Sequence, residues 1–261
     1  MRPGPARLAS LVAAAATVAA SCTDVSAPAD HVAALTFGRL PAPAVVAGDT
    51  LRDSLGAVAP LRAVAFNSAG DEIPDAAIQF IALDTGVTIG PGGTLFANRT
   101  SGSVRILASS GSLQIAGTPL LVTRRPDSVA VSGPTSDTVA YVVPDVATAN
   151  TSKSLSVKVT TRDTTGGILV SQSWIVRYQA FFRGNAIAPG DTSIVFLVDG
   201  SKKSTTDTTD AGGIASRSVR VRPIGITQSA TDSVIVIATV NYRGSPVRGS
   251  PLRFVVQLRP Q

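Results

Sequence analysis

Leu155-Ser-Val-Lys-Val-Thr-Thr-Arg162, LSVKVTTR, alternates apolar and polar residues over its first six positions. In an extended chain successive side chains point to opposite faces. Leu155, Val157 and Val159 therefore share one face, and Ser156, Lys158 and Thr160 take the other. A helix would scatter the same residues around its circumference, so the stretch predicts a strand buried on one side.

Similar runs fill the chain on both sides, each bounded by Gly, Pro, Asp or Asn. Before it stand AALTF, LRAVAF, AAIQFIAL, GTLFANR, SVRILASS, PLLVTRR and DSVAVSG. After it come SWIVRYQAFF, SIVFLVDG, IASRSVRVRP, SVIVIATVNYR and PLRFVVQL. Past residue 21, no window keeps a 3.6-residue apolar stripe for three turns. The composition agrees: Val, Ala, Ile, Thr, Ser and Gly dominate, branched side chains suit a pleated surface, and Glu72 is the lone glutamate. These observations predict an all-β fold.

The first 21 residues read as a cleaved N-terminal signal peptide. Arg2 and Arg7 are its basic start, Leu8 to Ala20 its apolar core of 13 residues, and Ala19, Ala20 and Ser21 its small-residue exit. That core falls short of the roughly 20 residues a membrane-spanning helix needs. Cys22, the only cysteine, follows at once. The order apolar, small, small, cysteine in VAASC fits a lipoprotein signal whose cysteine is acylated, with Ala19 where Leu is commonest. The alternative is ordinary cleavage after Ala20, which leaves an unpaired thiol exposed outside the cytoplasm. Lipidation of Cys22 is the favoured reading, and two or three acyl chains would hold the protein stably on a membrane.

Residues 22–32, polar and Pro-containing, read as a flexible tether. The remaining length suits two sandwiches of roughly 100 residues each. An internal repeat supports two copies of one plan: Val104 to Val122 aligns with Val234 to Val256, both passing through G-[TS]-P-L into a closing strand. The boundary falls in TRRPDS, giving domains over 33–125 and 126–261.

VKVTTRDTTGGILVSQSWIVRYQ, STTDTTDAGGIASRSVRV and SVIVIATV together resemble the bacterial immunoglobulin-like repeats of invasin/intimin-type surface proteins. The matching positions are Asp163, Gly166, Thr209, Asp210, Gly213, Ala215 and Ala238. The resemblance implies two tandem Ig-like β-sandwich domains on a bacterial cell surface and names no ligand. The same positions have a plain physical reading. Asp210 can cap its own turn, and Gly212 or Gly213 can take a positive φ.

Chemistry is sparse. His31 lies at the edge of the tether, where no framework holds a general base in place. One Cys and one His do not make a zinc site. Asp71 and Glu72 sit together in a turn and read as solvated loop carboxylates. Asp199, Asp207 and Asp210 are a weak calcium set without EF-hand spacing. Asn98 and Asn150 head glycosylation-type triplets that mean little in a bacterial chain. The formal charge is +6 and falls to +4 once Arg2 and Arg7 are removed; the basic residues are scattered, which argues against nucleic acid. Trp174, the only tryptophan, reads as a mid-strand core residue, or with Tyr178 and Tyr242 as an aromatic ligand site.

The expectation is a non-enzymatic lipoprotein of the cell envelope, without a cofactor, anchored through Cys22 at the outer membrane or cell surface, or else periplasmic or secreted. Its domains would serve as stalk or adhesion module toward a protein or polysaccharide partner. The alternative is a carbohydrate-binding or adhesin module with a defined aromatic site.

Overall fold

The computed structural model describes residues 31–224, 226 and 232–261. The signal segment and Cys22 lie outside the described residues. Among the described residues there is no α-helix, only a 3-10 turn at Pro91–Gly93, and no helix is long and apolar enough to cross a membrane.

Leu155–Arg162 is a strand whose side chains alternate between buried and accessible along its whole length. Leu155, Val157 and Val159 are fully buried and Lys158 is exposed. Each such side chain contributes about 1.5–3 kcal/mol by leaving water. This strand lies second in a sheet ordered Ser128–Val131, Leu155–Arg162, Ile214–Val221, Val195–Asp199, with Lys202–Lys203 on the edge. The opposing sheet runs Ser136–Tyr141, Leu252–Pro260, Asp232–Thr239, Ile175–Phe182, Asn185–Ala186. One cluster of buried side chains from both sheets, spanning residues 129–258, lies between them. With Ser128–Val131, Leu155–Arg162, Ile214–Val221 and Val195–Asp199 as A, B, E and D, and Leu252–Pro260, Asp232–Thr239 and Ile175–Phe182 as G, F and C, the order A-B-E-D against G-F-C is that of an immunoglobulin-like sandwich.

The N-terminal half repeats the plan with shorter strands around a second cluster, spanning residues 45–122. Ala34–Phe37 pairs with Ala63–Phe66, and Ile106–Ser110 pairs with Gln79–Ala82 on one side and Leu113–Ala116 on the other. Ala44–Val46 runs parallel to Leu120–Thr123, as Ser136–Tyr141 runs parallel to Leu252–Pro260 in the C-terminal half. The chain is therefore all-β, built from two tandem Ig-like sandwiches.

A local device recurs four times and fixes strand register. Asp53, Asn67, Asp163 and Asp210 each accept, through Oδ1, the amides two and four residues ahead at 2.7–3.0 Å. Three residues on, Gly56, Gly70, Gly166 and Gly213 donate back to the first residue's carbonyl, all at positive φ. A side-chain oxygen thus replaces the backbone partners that the turn cannot supply. Of the two glycines the sequence offered after Asp210, Gly213 takes the left-handed conformation.

One expectation about position fails. Trp174 is not mid-strand: the strand begins at Ile175, and Trp174 is half-buried on the preceding loop. Tyr178 occupies the interior instead, 2% exposed, its hydroxyl donating to the Ala215 carbonyl at 2.9 Å. Burial pushes the Tyr178 phenol well above its usual range, and the nearby Asp207 charge adds to this.

Candidate functional site: the cleft between the sandwiches

The loop after Ala44–Val46 carries Asp49, 3% exposed, at the end of the first sandwich that faces the second. Opposite it, the hairpin of Asn241–Tyr242 and Ser245–Pro246 turns through Arg243 and Gly244, both at positive φ. Asp49 draws this hairpin in. The Tyr242 hydroxyl donates to its Oδ2 at 3.0 Å, and Arg243 reaches the same oxygen through Nε at 3.0 Å and Oδ1 through Nη2 at 2.9 Å. Arg52 forks onto the carboxylate from within the first sandwich, Nε at 3.0 Å and Nη2 at 3.1 Å, and the Thr50 amide adds a bond at 2.8 Å. A buried carboxylate costs free energy unless its lone pairs are filled, and here they are filled from both domains. Burial alone would raise the Asp49 pKa; the bonds from Arg243, Arg52, the Thr50 amide and Tyr242 outweigh it and hold the carboxyl well below the usual range.

The backbones also touch. Gly56 has φ +90°, and a Cβ built there would stand 2.2 Å from the Gly244 amide nitrogen. Arg177 of the second sandwich donates to Ser54 of the first at 3.3 Å. Arg125, in the connecting segment, lies 5.9 Å from the Tyr242 ring centre, with Arg243 at 5.3 Å. Arg125 is exposed and also rests on this aromatic.

Trp174 faces the same cleft, its ring centre 6.3 Å from that of Tyr242 at a 56° tilt. Thr209, 3% exposed, sets it there. Its hydroxyl accepts from the Trp174 amide at 2.8 Å and donates to the Ser171 carbonyl at 2.7 Å, while its own amide donates to the Trp174 carbonyl. The Thr-Asp-x-x-Gly signature thus does two jobs. Asp210 and Gly213 close a turn, and Thr209 pins the loop that presents the tryptophan.

Of the three aromatic candidates, Trp174 and Tyr242 meet in the cleft, whereas Tyr178 is sealed inside the second sandwich. The Tyr242 ring is contacted by Trp174 and two guanidinium groups, and its hydroxyl is held by Asp49. Asp49, Arg52, Gly56 and Arg243 complete the cleft, and no sequence pattern singled them out.

The acidic candidates are dispersed among other tasks. Asp207 and Asp199 flank Arg217, whose Nη1 is 3.2 Å from Asp207 Oδ1 and 3.7 Å from Asp199 Oδ2. Arg217 is 5% exposed and also donates to the Ser204, Ser216 and Thr206 carbonyls. Its guanidinium stands between the two carboxylates, and the Asp210 Oδ1 is committed to its turn. Among the described residues no group of three or more His, Cys, Asp or Glu side chains is placed to hold a metal ion. Asp71 and Glu72 are exposed in their loop. Asn150 is fully buried, bonded to Val142 and Asp145, which removes it as a glycosylation acceptor in the folded chain.

No family model matches the chain. No curated protein matches it. Among solved structures it is similar to domains 4 and 5 of the S-layer protein SbsC, at 14% identity over 86% of this chain and 96% of that one, TM-score 0.29. It is similar to the Yersinia pseudotuberculosis adhesin InvE at 15% identity over 86% and 58% of the two chains, TM-score 0.32. Titin domains I67–I69 give 8% identity over 86% and 65%, TM-score 0.24. The assignment of the fold rests on the strand order above.

Proposed function

We infer that this protein is a non-catalytic lipoprotein of the bacterial envelope whose paired Ig-like sandwiches form a stiff stalk for adhesion or protein contact. The observation that carries the reading is the junction at Asp49. Two sandwiches joined by a short linker move independently by default. Here a buried carboxylate, two arginines, a tyrosine and a backbone contact at Gly56 tie them together, which suits a spacer that holds its outer end away from an anchoring surface. The Trp174–Tyr242 pair serves that joint. Its hydroxyl and ring contacts are engaged between the domains, which favours the stalk over an open sugar platform.

Anchoring rests on the sequence around Cys22. Membrane fractionation of cells producing the full chain and Cys22→Ser tests it. The unaltered chain is expected with the membranes and Cys22→Ser in the soluble extract. Retention of Cys22→Ser on membranes would overturn the lipid anchor. Protease treatment of intact cells then separates surface display from a periplasmic location.

A further inference from the structure

The most exposed run of large apolar side chains in the second sandwich is Ile168-Leu169-Val170, with 70%, 44% and 37% exposure. These residues form a short edge strand antiparallel to the end of Leu155–Arg162, with Thr160 opposite Val170, Thr161 opposite Leu169 and Arg162 opposite Ile168. The flanking bonds from Asp163 to Gly167 and from Ser171 to Val159 set the alternation of the ladder. Leu169 therefore turns its amide and carbonyl toward Thr161. Ile168 and Val170 turn theirs outward, away from the sheet. An open, apolar sheet edge is a template for another strand.

The other sandwich supplies an internal control. Asn67 and Asp163 cap equivalent turns, so Glu72 stands where Ile168 does and Pro74 where Val170 does. In the first sandwich this edge carries Asp71 and Glu72, both exposed, and a proline that has no amide to offer. The fold does not need an apolar edge here. The second sandwich has one, and the first has residues that block pairing.

We propose that Ile168-Leu169-Val170 is a self-association edge, on which a second copy of this chain adds the same three residues antiparallel about a two-fold axis. The geometry is self-complementary. Ile168 of each copy pairs with Val170 of the other, exchanging the outward-facing amides and carbonyls, and the two Leu169 side chains stand opposite each other on the axis. No like charges are set against one another on these strands. Arg162 beside them is already paired with Asp127 at 3.2 Å. Three residues a side fall far below the about 800 Å² per partner of a standard stable interface. The contact is a weak one that serves copies crowded on a surface, with two-fold rather than chain-like closure.

Sedimentation of the full chain over roughly micromolar to millimolar concentration is expected to show a monomer–dimer equilibrium. Leu169→Lys, at an exposed position, should weaken it by about tenfold or more, because the two lysines face each other on the axis, and Ile168→Lys should weaken it less, because each lysine stands opposite Val170 of the other copy. In a Cys22→Ser background, Leu169→Cys puts the two thiols within disulfide reach across a non-hydrogen-bonded pair. It should oxidise to a covalent dimer far faster than the control Ile81→Cys, an apolar position 42% exposed on the other sandwich. A chain that stays monomeric throughout, or equal cross-linking at positions 169 and 81, would overturn the proposal, and a strand from another protein would then be the occupant of this edge.

Discussion

Asp49 and Tyr242, 193 positions apart in the chain, meet in a 3.0 Å hydrogen bond that joins the two sandwiches. The phenol donates to a carboxylate that also holds Arg52 and Arg243. Bonds to a charged acceptor contribute about 1.5–3 kcal/mol each when burial shields them, and the Asp49 side chain is 4% exposed. Arg243 is half-exposed, so its share is the smaller.

Replacing Asp49 by Asn keeps the shape and removes the charge, and the new amide group turns a donor toward the two guanidinium groups. The expected loss is about 2 kcal/mol of stability. Chemical denaturation measures that loss, and X-ray scattering should show the mean distance between the sandwiches growing. A variant with unchanged stability and unchanged scattering would contradict the role given to Asp49.

The joint should also be insensitive to pH across the ordinary range. The Asp49 carboxyl is held below its unfolded value, so its contribution is complete above about pH 4 and is lost only as pH falls further toward the folded value. Scattering profiles should superimpose from pH 8 to pH 5 and diverge on acidification below pH 4. Opening between pH 7 and pH 5 would point to a different titrating group. The Asp84 carboxyl, lowered to about 2 by its hydrogen bonds from Arg105, is partly exposed and follows the same direction within the first sandwich.

Gly56 and Gly70 separate two costs of adding a methyl group. Both adopt φ near +90°, but a Cβ on Gly70 meets nothing within 4 Å, whereas on Gly56 it collides with the Gly244 backbone. Gly70→Ala should cost about 1–2 kcal/mol of local strain and leave the joint closed. Gly56→Ala should add separation of the sandwiches. Trypsin cleavage between Arg124 and Arg125 is expected to accelerate for Gly56→Ala alone; the Arg125–Pro126 bond resists the enzyme.

Thr209→Val removes the hydroxyl that bridges Trp174 and Ser171 and leaves a buried amide and carbonyl unpaired, a loss of about 2 kcal/mol. Because Trp174 is the only tryptophan, its fluorescence reports the loop directly. A red-shifted emission with faster iodide quenching is expected; an unchanged spectrum would show that the loop holds its place without Thr209.

The strands and turns were legible because their causes are local. Alternation in LSVKVTTR selects the buried face whatever the strand packs against. Asp163 and Asp210 close their turns on amides two and four residues away, so their spacing to Gly166 and Gly213 carries the whole signal. Asn67 and Asp53 do the same with less distinctive neighbours. Alternation in IASRSVRVRP puts Val219 and Val221 on one face, yet Arg217, in phase with them, is buried as well. Its charge is matched by Asp199 and Asp207, brought to it by a neighbouring turn of chain that no local period announces.

By itself, then, the sequence determined an all-β chain, its capped turns and the tandem plan, because each depends on contacts within a few residues. Packing between distant segments alone makes Asp49 the hub of a joint, sets Trp174 at the rim of the core against Tyr242, and buries Arg217. A buried charge is stable only where several distant donors or acceptors converge, and that convergence is a property of packed domains.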